Sequence, residues 1–191
     1  MTESSTRRRQ LTDAAIETLA VAGLRGLTHR AVDQAAGVPE GSCSYYFRTR
    51  QALLQAALDR LLEADTADIV APPEMSGDGG AETIAETAAV IVQHWTTTAR
   101  SRTVARHELA LEATRRPELG VVLQIGAAHV RRSIVDLLAA AGIPEPDKHA
   151  PLIVAFIDGF ILERLTGPGE LDLDPIELRT TLLRLMSALS T

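Results

Sequence analysis

The sequence predicts an all-α fold of about nine helices, in which a short three-helix head precedes a longer helical body. Apolar residues recur at helical spacing along most of the 191 residues. No run alternates apolar and polar residues in the way that a half-buried strand would. Stretches rich in glycine and proline separate the periodic segments. We therefore divide the chain into a head at residues 1–48 and a body at residues 49–191.

Charge is distributed unevenly along the chain, although its net value is −6. Residues 1–50 contain seven arginines and five acidic residues, giving +2, whereas residues 51–191 contain 12 basic and 20 acidic residues, giving −8. An arginine-bearing head on an acidic body suits a protein whose head alone approaches the phosphates of DNA.

Several classes of protein are excluded by composition. The single cysteine, Cys43, rules out an intramolecular disulfide and a multi-thiolate metal site, and we expect neither metal nor cofactor. The first residues lack the apolar segment of a secretory signal, and the apolar run at 151–162 is too short to span a bilayer. We expect a cytoplasmic protein with no membrane contact. Cys43 itself is either a small core residue, which we favour, or a redox-sensitive thiol.

The head contains signals for three helices. The first is predicted over 6–22, where Gly23 supplies a left-handed stop, and the second runs to residue 36 with Thr28 as its N-cap. Gly37 then provides the positive φ that a tight turn needs, and a third helix is predicted over 39–46. Two short helices joined in this way and clasped by a longer one form a helix-turn-helix, whose second helix lies in the major groove of DNA.

The polar residues of this helix-turn-helix are the candidates for DNA contact. Small polar side chains can read base edges and tyrosine hydroxyls can bind phosphates, although Tyr46 can equally pack inward. The three arginines at 7–9 are either an arm that reaches a groove or, as we favour, a solvated terminal tail. The candidate DNA-binding residues are Thr28, Arg30, Pro39, Glu40, Gly41, Ser42, Ser44, Tyr45, Tyr46 and Arg50.

The segment GLTHRAVDQAAGVPEGSCSYYFRTRQALLQAAL, residues 26–58, resembles the DNA-binding segment of the tetracycline-repressor (TetR) family of bacterial transcriptional regulators. The resemblance implies that Thr28 caps the second helix against a phosphate and that the aromatic pair at 45 and 46 meets the DNA backbone. It also places Arg50 on the usual lysine of the family, at a helix N-terminus that would share one phosphate with it. The chain departs from the family at Ser44, where most members have tyrosine, and at Pro39, where many have a capping serine or threonine.

The body is predicted to contain a linking helix that begins at Thr49, helices over 81–99, 101–114 and 118–141, and two final helices. A glycine-rich loop is expected near 71–80. The helix at 151–165 is apolar nearly all round, and the last helix begins with a capping box at Asp174 and carries leucines at steps of four, three and four. We predict, as the resemblance also implies, that these two helices pair with their copies in a homodimer. The predicted interface residues are Phe156, Phe160, Leu178, Leu182, Leu185 and Leu189.

Polar residues on the otherwise apolar body helices are the only leads to a ligand pocket. Glu108 and Glu112 lie one turn apart on one face, while His107 points about 100° away, so this string is not the zinc-protease signature and we expect no metal. Structural packing is the favoured reading of these residues. The candidate pocket residues are His94, Trp95, His107, Glu108, Glu112, Phe156 and Asp158.

We therefore expect a ligand-responsive repressor that binds a palindromic operator in double-stranded DNA as a dimer and is released by an unidentified small-molecule effector. Two other classes of function remain open. The first is a helical enzyme that uses Glu108, Glu112 and a histidine as acid–base groups or metal ligands, which requires these side chains to converge. The second is a dimeric binding module that has kept the fold and lost DNA binding, an idea raised by Ser44.

Overall fold

The computed structural model describes residues 3–70, 80–167 and 173–189, and within these ranges the chain is helical and contains no strand. The predicted all-α class is confirmed. The helices are α1 (Glu3–Gly26), α2 (His29–Ala36), α3 (Ser42–Tyr46), α4 (Arg50–Val70), α5 (Ala81–Thr96), α6 (Arg100–Ala113), α7 (Pro117–Ala140), α8 (Pro146–Thr166) and α9 (Pro175–Leu189).

The helices form two compact units, each with its own apolar core. Unit 1 combines the chain up to Ala64 with residues 101–124, and unit 2 combines residues 65–100 with the chain from Ile125 onward. In unit 1, Ala105 and Leu109 of α6 are buried in the same core as the head residues Leu11, Leu27 and Phe47. The head therefore shares its core with α6. The predicted boundary between residues 48 and 49 separates the head from the body, and it stays a prediction.

The first helix is longer than its sequence pattern suggested. It begins at Glu3, so the three arginines at 7–9 lie on helix α1 and are not a disordered tail, although all three are exposed. The guanidinium of Arg8 lies over the ring of Phe47, 4.8 Å from its centroid, which is a cation–π contact. At the other end Gly23 has φ 62° and bends the helix, which confirms the positive φ predicted there.

The body helices α5, α6 and α7 follow their predicted segments closely. Helix α8 begins at Pro146, earlier than the predicted residue 151, because Pro151 is accommodated inside the helix. The predicted capping box of α9 is present: Asp174 Oδ1 accepts hydrogen bonds from the N–H groups of Ile176 and Glu177, both at 2.8 Å, and Glu177 accepts from the N–H of Asp174. Residues 71–79 of the predicted glycine-rich loop lie outside the described ranges.

The predicted dimer seam is corrected at three positions. Phe160, Leu178 and Leu182 are buried in the core of unit 2 within a single chain, so they have no surface left for a partner. Phe156 and Leu185 are half-buried, and the side chain of Leu189 lies outside the described part. Helix α8 instead exposes another stripe, at steps of three, four, three and four. Its members are Leu152, Ala155, Gly159, Leu162 and Thr166.

None of the helices in the described ranges is long and apolar enough to cross a membrane.

Candidate functional site

Helix α2 is capped at both ends as the sequence predicts. Thr28 has extended backbone angles, and its hydroxyl oxygen accepts a hydrogen bond from the N–H of Ala31 at 3.1 Å. At the other end Gly37 adopts the left-handed conformation, with φ 64° and ψ 35°, and its N–H and that of Val38 return to carbonyls of the last turn. A β-carbon would be strained in this conformation, so glycine fixes the point at which α2 ends.

The third helix is shorter than predicted. It begins at Ser42, whereas Pro39 and Glu40 belong to the preceding turn, so the predicted start at Pro39 is wrong. The reason is Gly41, whose φ of 95° cannot occur inside a right-handed helix. No atom lies within 4 Å of the place that a β-carbon on Gly41 would occupy, so its backbone is open on that side.

A buried carboxylate, Asp33 on α2, holds the start of α3. Its side chain is only 3% exposed, and it accepts hydrogen bonds from the N–H of Gly41 at 2.8 Å and from the N–H of Cys43 at 2.7 Å. Gly41 has no side chain to cap α3, so Asp33 takes the place of a cap. Sequence reasoning missed this role. The sequence offered one signal: Asp33 directly follows Val32, which is buried, and a carboxylate placed close to an apolar core needs hydrogen-bond donors around it.

Two more contacts, which the sequence did not reveal, stabilise the packing of the head. The imidazole Nε2 of His29 lies 2.6 Å from the carbonyl oxygen of Phe47, just after α3. The side-chain amide of Gln10 on α1 donates to the carbonyl of Ala36 at the end of α2, at 2.9 Å. Both contacts tie short helices to a neighbour, and together with Asp33 they fix the orientation of α3 within unit 1.

Most of the candidate DNA-binding residues lie at the surface of the single chain. The two serine hydroxyls donate to the backbone of the preceding turn, Ser42 to Pro39 at 2.6 Å and Ser44 to Gly41 at 2.9 Å, which leaves their oxygens as acceptors. Ser42 is half-buried. The exposed candidates are Thr28, Arg30, Pro39, Glu40, Gly41, Ser44 and Tyr45.

The two tyrosines of α3 differ in burial. Tyr45 is 71% exposed, whereas Tyr46 is half-buried and packs against the core of unit 1. Their rings meet edge to face with centroids 5.2 Å apart. Much of the Tyr46 surface is therefore covered by the core, which is the inward packing that the sequence left open. Tyr45 keeps its ring and hydroxyl available to a partner.

Arg50, at the start of α4, binds the main chain of its own unit. Its Nε donates to the carbonyl of Leu27 at 2.8 Å, and its Nη2 donates to the carbonyl of Leu24. The preceding Thr49 caps α4, as predicted, by accepting from the N–H of Ala52 at 3.1 Å. The phosphate contact expected of Arg50 stays a prediction, and its remaining N–H groups would have to make it.

Cys43 is a core residue of the head. Its side chain is fully buried, and burial, followed by the nearby charge of Asp33, raises the pKa of the thiol to about 11. The thiolate is the reactive form, so this environment suppresses reactivity at neutral pH. The structure therefore favours the interpretation of Cys43 as a small packing residue over a redox sensor.

The candidate pocket residues fall in both compact units. In unit 2, the indole N–H of Trp95 donates to Asp68 at 2.7 Å, and Nε2 of His94 lies 3.7 Å from the same carboxylate oxygen. Phe156 packs against the core of unit 2, and Asp158 is exposed. Asp68 is thus the group that brings two predicted residues together, and sequence reasoning did not select it.

In unit 1, the three remaining candidates have partners within the protein. His107 Nδ1 lies 2.8 Å from the carbonyl oxygen of Thr103, one turn earlier on α6. Glu108 accepts from the N–H of Leu24 at 3.3 Å. Glu112 forms ion pairs with two arginines that follow α6, Arg115 at 3.1 Å and Arg116 at 2.9 Å. These contacts agree with the packing role favoured for this string. No group of three or more potential metal ligands occurs in the part of the chain that the structure describes.

Family models match both parts of the chain. Residues 11–57 match the model described as bacterial regulatory proteins, tetR family, and residues 79–188 match the model described as tetracyclin repressor-like, C-terminal domain. The second match alone covers more than half of the chain. The chain belongs to the TetR family. Proteins of the TetR family are transcriptional regulators with a DNA-binding amino-terminal domain and a ligand-binding carboxyl-terminal domain.

Individual TetR-family proteins resemble the chain over nearly its whole length. The transcriptional regulator BetI 1 of Chromohalobacter salexigens is 29% identical over 179 residues, which are 88% of this chain and 83% of that protein. A TetR-family structure from Streptomyces coelicolor is 34% identical, with a TM-score of 0.72, covering 94% of this chain and 97% of the other. The multidrug binding protein EbrR, solved with proflavin, is also 34% identical, with a TM-score of 0.60 and coverage of 94% and 99%.

A more distant solved structure shares the fold alone. The transcriptional regulator of Saccharomonospora viridis solved with choline has a TM-score of 0.78 at 17% identity, covering 96% of each chain.

Proposed function

We propose that this TetR-family chain is a repressor that binds a palindromic operator in double-stranded DNA as a homodimer, and that a small molecule bound by its body releases it. The observation that carries the DNA half of the proposal is the surface of α2 and α3. Arg30, Ser44 and Tyr45 are exposed there, and Asp33 beneath them holds the start of α3. A short helix whose start is held by a buried carboxylate and whose exposed side is polar suits the major groove. A chromosomal operator would place the protein in the cytoplasm.

The experiment that tests DNA binding is selection from random duplexes. Purified protein is incubated with a library of random-sequence DNA, and the bound fraction is recovered, amplified and sequenced through several rounds. A dimer with two equal heads predicts an enriched inverted repeat, with half-sites about one helical turn or a multiple of it apart. A library that shows no enrichment would support the other class left open by the sequence, a dimeric module that has lost DNA binding.

We propose that the partner chain covers the exposed stripe of α8. Leu152 and Leu162 are 55% and 42% exposed in the single chain, and Ala155 and Gly159 between them would let two helices approach closely. The steps of three and four match the seam of paired helices. A two-fold axis would bring each α8 against its copy, and both heads could then face one duplex.

The effector proposal is supported by what related proteins bind. EbrR was solved with proflavin, and the protein of Saccharomonospora viridis was solved with choline. Both ligands are cations, and aromatic faces and carboxylates are the groups that bind organic cations in proteins. Trp95 and Asp68 lie at hydrogen-bond distance from each other in unit 2, where Trp95 is 6% exposed, so a cationic ligand would have to reach them from the interior of the unit.

Proflavin and choline are therefore the probes for the effector. Trp95 is the only tryptophan of the chain, so a ligand that binds near it changes an unambiguous fluorescence signal. At a hundredfold excess over its dissociation constant a ligand stabilises the folded state by about 2.7 kcal/mol. We expect one of the probes to raise the melting temperature and to lower the affinity for the selected duplex. If both probes leave melting and DNA binding unchanged, the proposed cationic effector is wrong.

An enzymatic role receives no support from the residues that suggested it. Glu108 binds a backbone N–H and Glu112 binds two arginines, so the two carboxylates serve separate contacts. The family is one of transcriptional regulators.

A further inference from the structure

The last turn of α1 after its bend, together with Leu27, forms a segment at residues 24–27 that is held by side chains from two other helices. Its two leucines, Leu24 and Leu27, are buried, which fixes the segment against the core of unit 1. Gly23 precedes it in a positive-φ conformation, and Thr28, the N-cap of α2, follows it directly. The position of this segment therefore sets where α2 begins.

Both backbone polar groups of Leu24, its N–H and its carbonyl, lie beside charged side chains of opposite sign. The N–H of Leu24 donates to Oε1 of Glu108 on α6 at 3.3 Å, while the carbonyl of Leu24 accepts from the guanidinium of Arg50 on α4. Arg50 also binds the carbonyl of Leu27 at 2.8 Å. The carboxylate faces the donor and the guanidinium faces the acceptors, so both charged groups strengthen the contacts that they make.

The carboxylate of Glu108 also lies close to Gly23, the residue at the bend of α1. A β-carbon added to Gly23 would lie 2.8 Å from Oε1 of Glu108, which is shorter than real contacts of that kind. The positive φ of Gly23 favours glycine at this position, and a β-carbon there would also displace the carboxylate of Glu108 from its place. The flanking residues of α6, Ala105 and Leu109, are buried in the same core, so α6 has a fixed position in unit 1.

We infer that Glu108 is a positioning residue for DNA binding: through the N–H of Leu24 it holds the junction of α1 and α2, and so the placement of the helix-turn-helix. The inference rests on the proposed DNA-binding function. Glu108 lies on α6, in the part of the chain matched by the C-terminal family model, and not in the part matched by the DNA-binding model. A side chain from the segment matched by the C-terminal family model thus contacts the backbone of the head.

The variants that test this role separate hydrogen bonding from charge. E108A removes the acceptor, E108D keeps the charge but withdraws the carboxylate by one methylene, and E108Q removes the charge but keeps an acceptor oxygen. D13A is the matched control, because Asp13 is an exposed carboxylate whose pair with Arg60, at 3.0 Å, also joins α1 to another helix of unit 1. Surface pairs of this kind contribute little to stability.

Affinity for the duplex selected by the wild-type protein is measured by fluorescence anisotropy at 25 °C, with circular dichroism confirming that each variant is folded. We expect E108A and E108D to bind about tenfold more weakly, since a hydrogen bond to a charged acceptor is lost. D13A should stay within about twofold of the wild type because it keeps the contact with Leu24, and E108Q should bind between the wild type and E108A because it keeps an acceptor oxygen but not the charge. Hydrogen exchange at the amide of Leu24 should accelerate in E108A and E108D only.

Two results would overturn the inference. One is wild-type affinity and exchange in folded E108A and E108D, and the other is equal weakening in all four variants, which would indicate an effect that does not depend on the contact with Leu24. If E108A fails to fold, the DNA affinities and the Leu24 exchange rates of E108D and E108Q are compared instead, and equal values in these two variants would overturn the inference. If the wild-type protein selects no duplex, the proposed function fails, and the exchange at Leu24 still decides whether Glu108 holds the junction.

Discussion

The buried carboxylate of Asp33 gives a prediction whose size follows from the structure. Asp33→Ala removes the acceptor for two N–H groups, Gly41 at 2.8 Å and Cys43 at 2.7 Å. Hydrogen bonds to a charged group contribute about 1.5–3 kcal/mol each, which gives about 3–6 kcal/mol for the pair. Gly41 is exposed, so water replaces part of its bond, whereas Cys43 is buried and its N–H is left without a partner. We therefore expect a loss of about 2–4 kcal/mol.

Thermal unfolding followed by circular dichroism measures this loss. For a chain of this size each kcal/mol lowers the melting temperature by about 2–4 °C, so the transition should fall by about 4–16 °C. Asp33→Asn keeps the volume and one acceptor oxygen, and it should lie between the alanine variant and the wild type. Asp13→Ala, which removes an exposed carboxylate, serves as the control. An Asp33→Ala protein that melts within a degree of this control would refute the capping role.

Three further predictions concern other parts of the molecule. Arg50→Ala should lower the slope of log affinity against log salt by about one if Arg50 contacts a phosphate, and weaker binding with an unchanged slope would restrict Arg50 to its main-chain contacts. The pKa of about 11 keeps the Cys43 thiol protonated, so it should resist iodoacetamide at pH 8 in the folded protein and react on unfolding, and rapid labelling of the native protein would contradict its burial. Leu162→Glu should yield monomers in analytical ultracentrifugation, whereas a stable dimer would exclude the α8 stripe as the interface.

The sequence predicted the fold class and most of the local structure, because those features depend on local signals. Thr28 and Asp174 cap their helices, and Gly37 and Gly23 take positive φ values, as the residue types required. The start of α3 was misplaced because a proline after a turn commonly begins a helix, and here Gly41 two residues later breaks it. The positive φ of Gly41 outweighed the preference of proline for the first turn of a helix.

Features that depend on distant contacts were not predictable from the sequence. Helical periodicity showed that the last helix has an apolar face, but not that Leu178 and Leu182 would be buried within their own chain. Likewise, helical spacing placed Glu108 on one face of α6 with Glu112, while its contact with Leu24 joins residues 84 positions apart. Asp33 was passed over because its partners come from the following turn.

The ratio of specific to non-specific DNA affinity tests the central claim most directly. Anisotropy titrations with the selected duplex and with a scrambled duplex of the same composition, at one salt concentration, give this ratio. A helix-turn-helix that reads bases through the exposed face of α3 predicts a preference of about a thousandfold or more for the selected duplex. Equal affinity for the two duplexes would show that the head binds phosphates without reading sequence, and would contradict the proposed operator recognition.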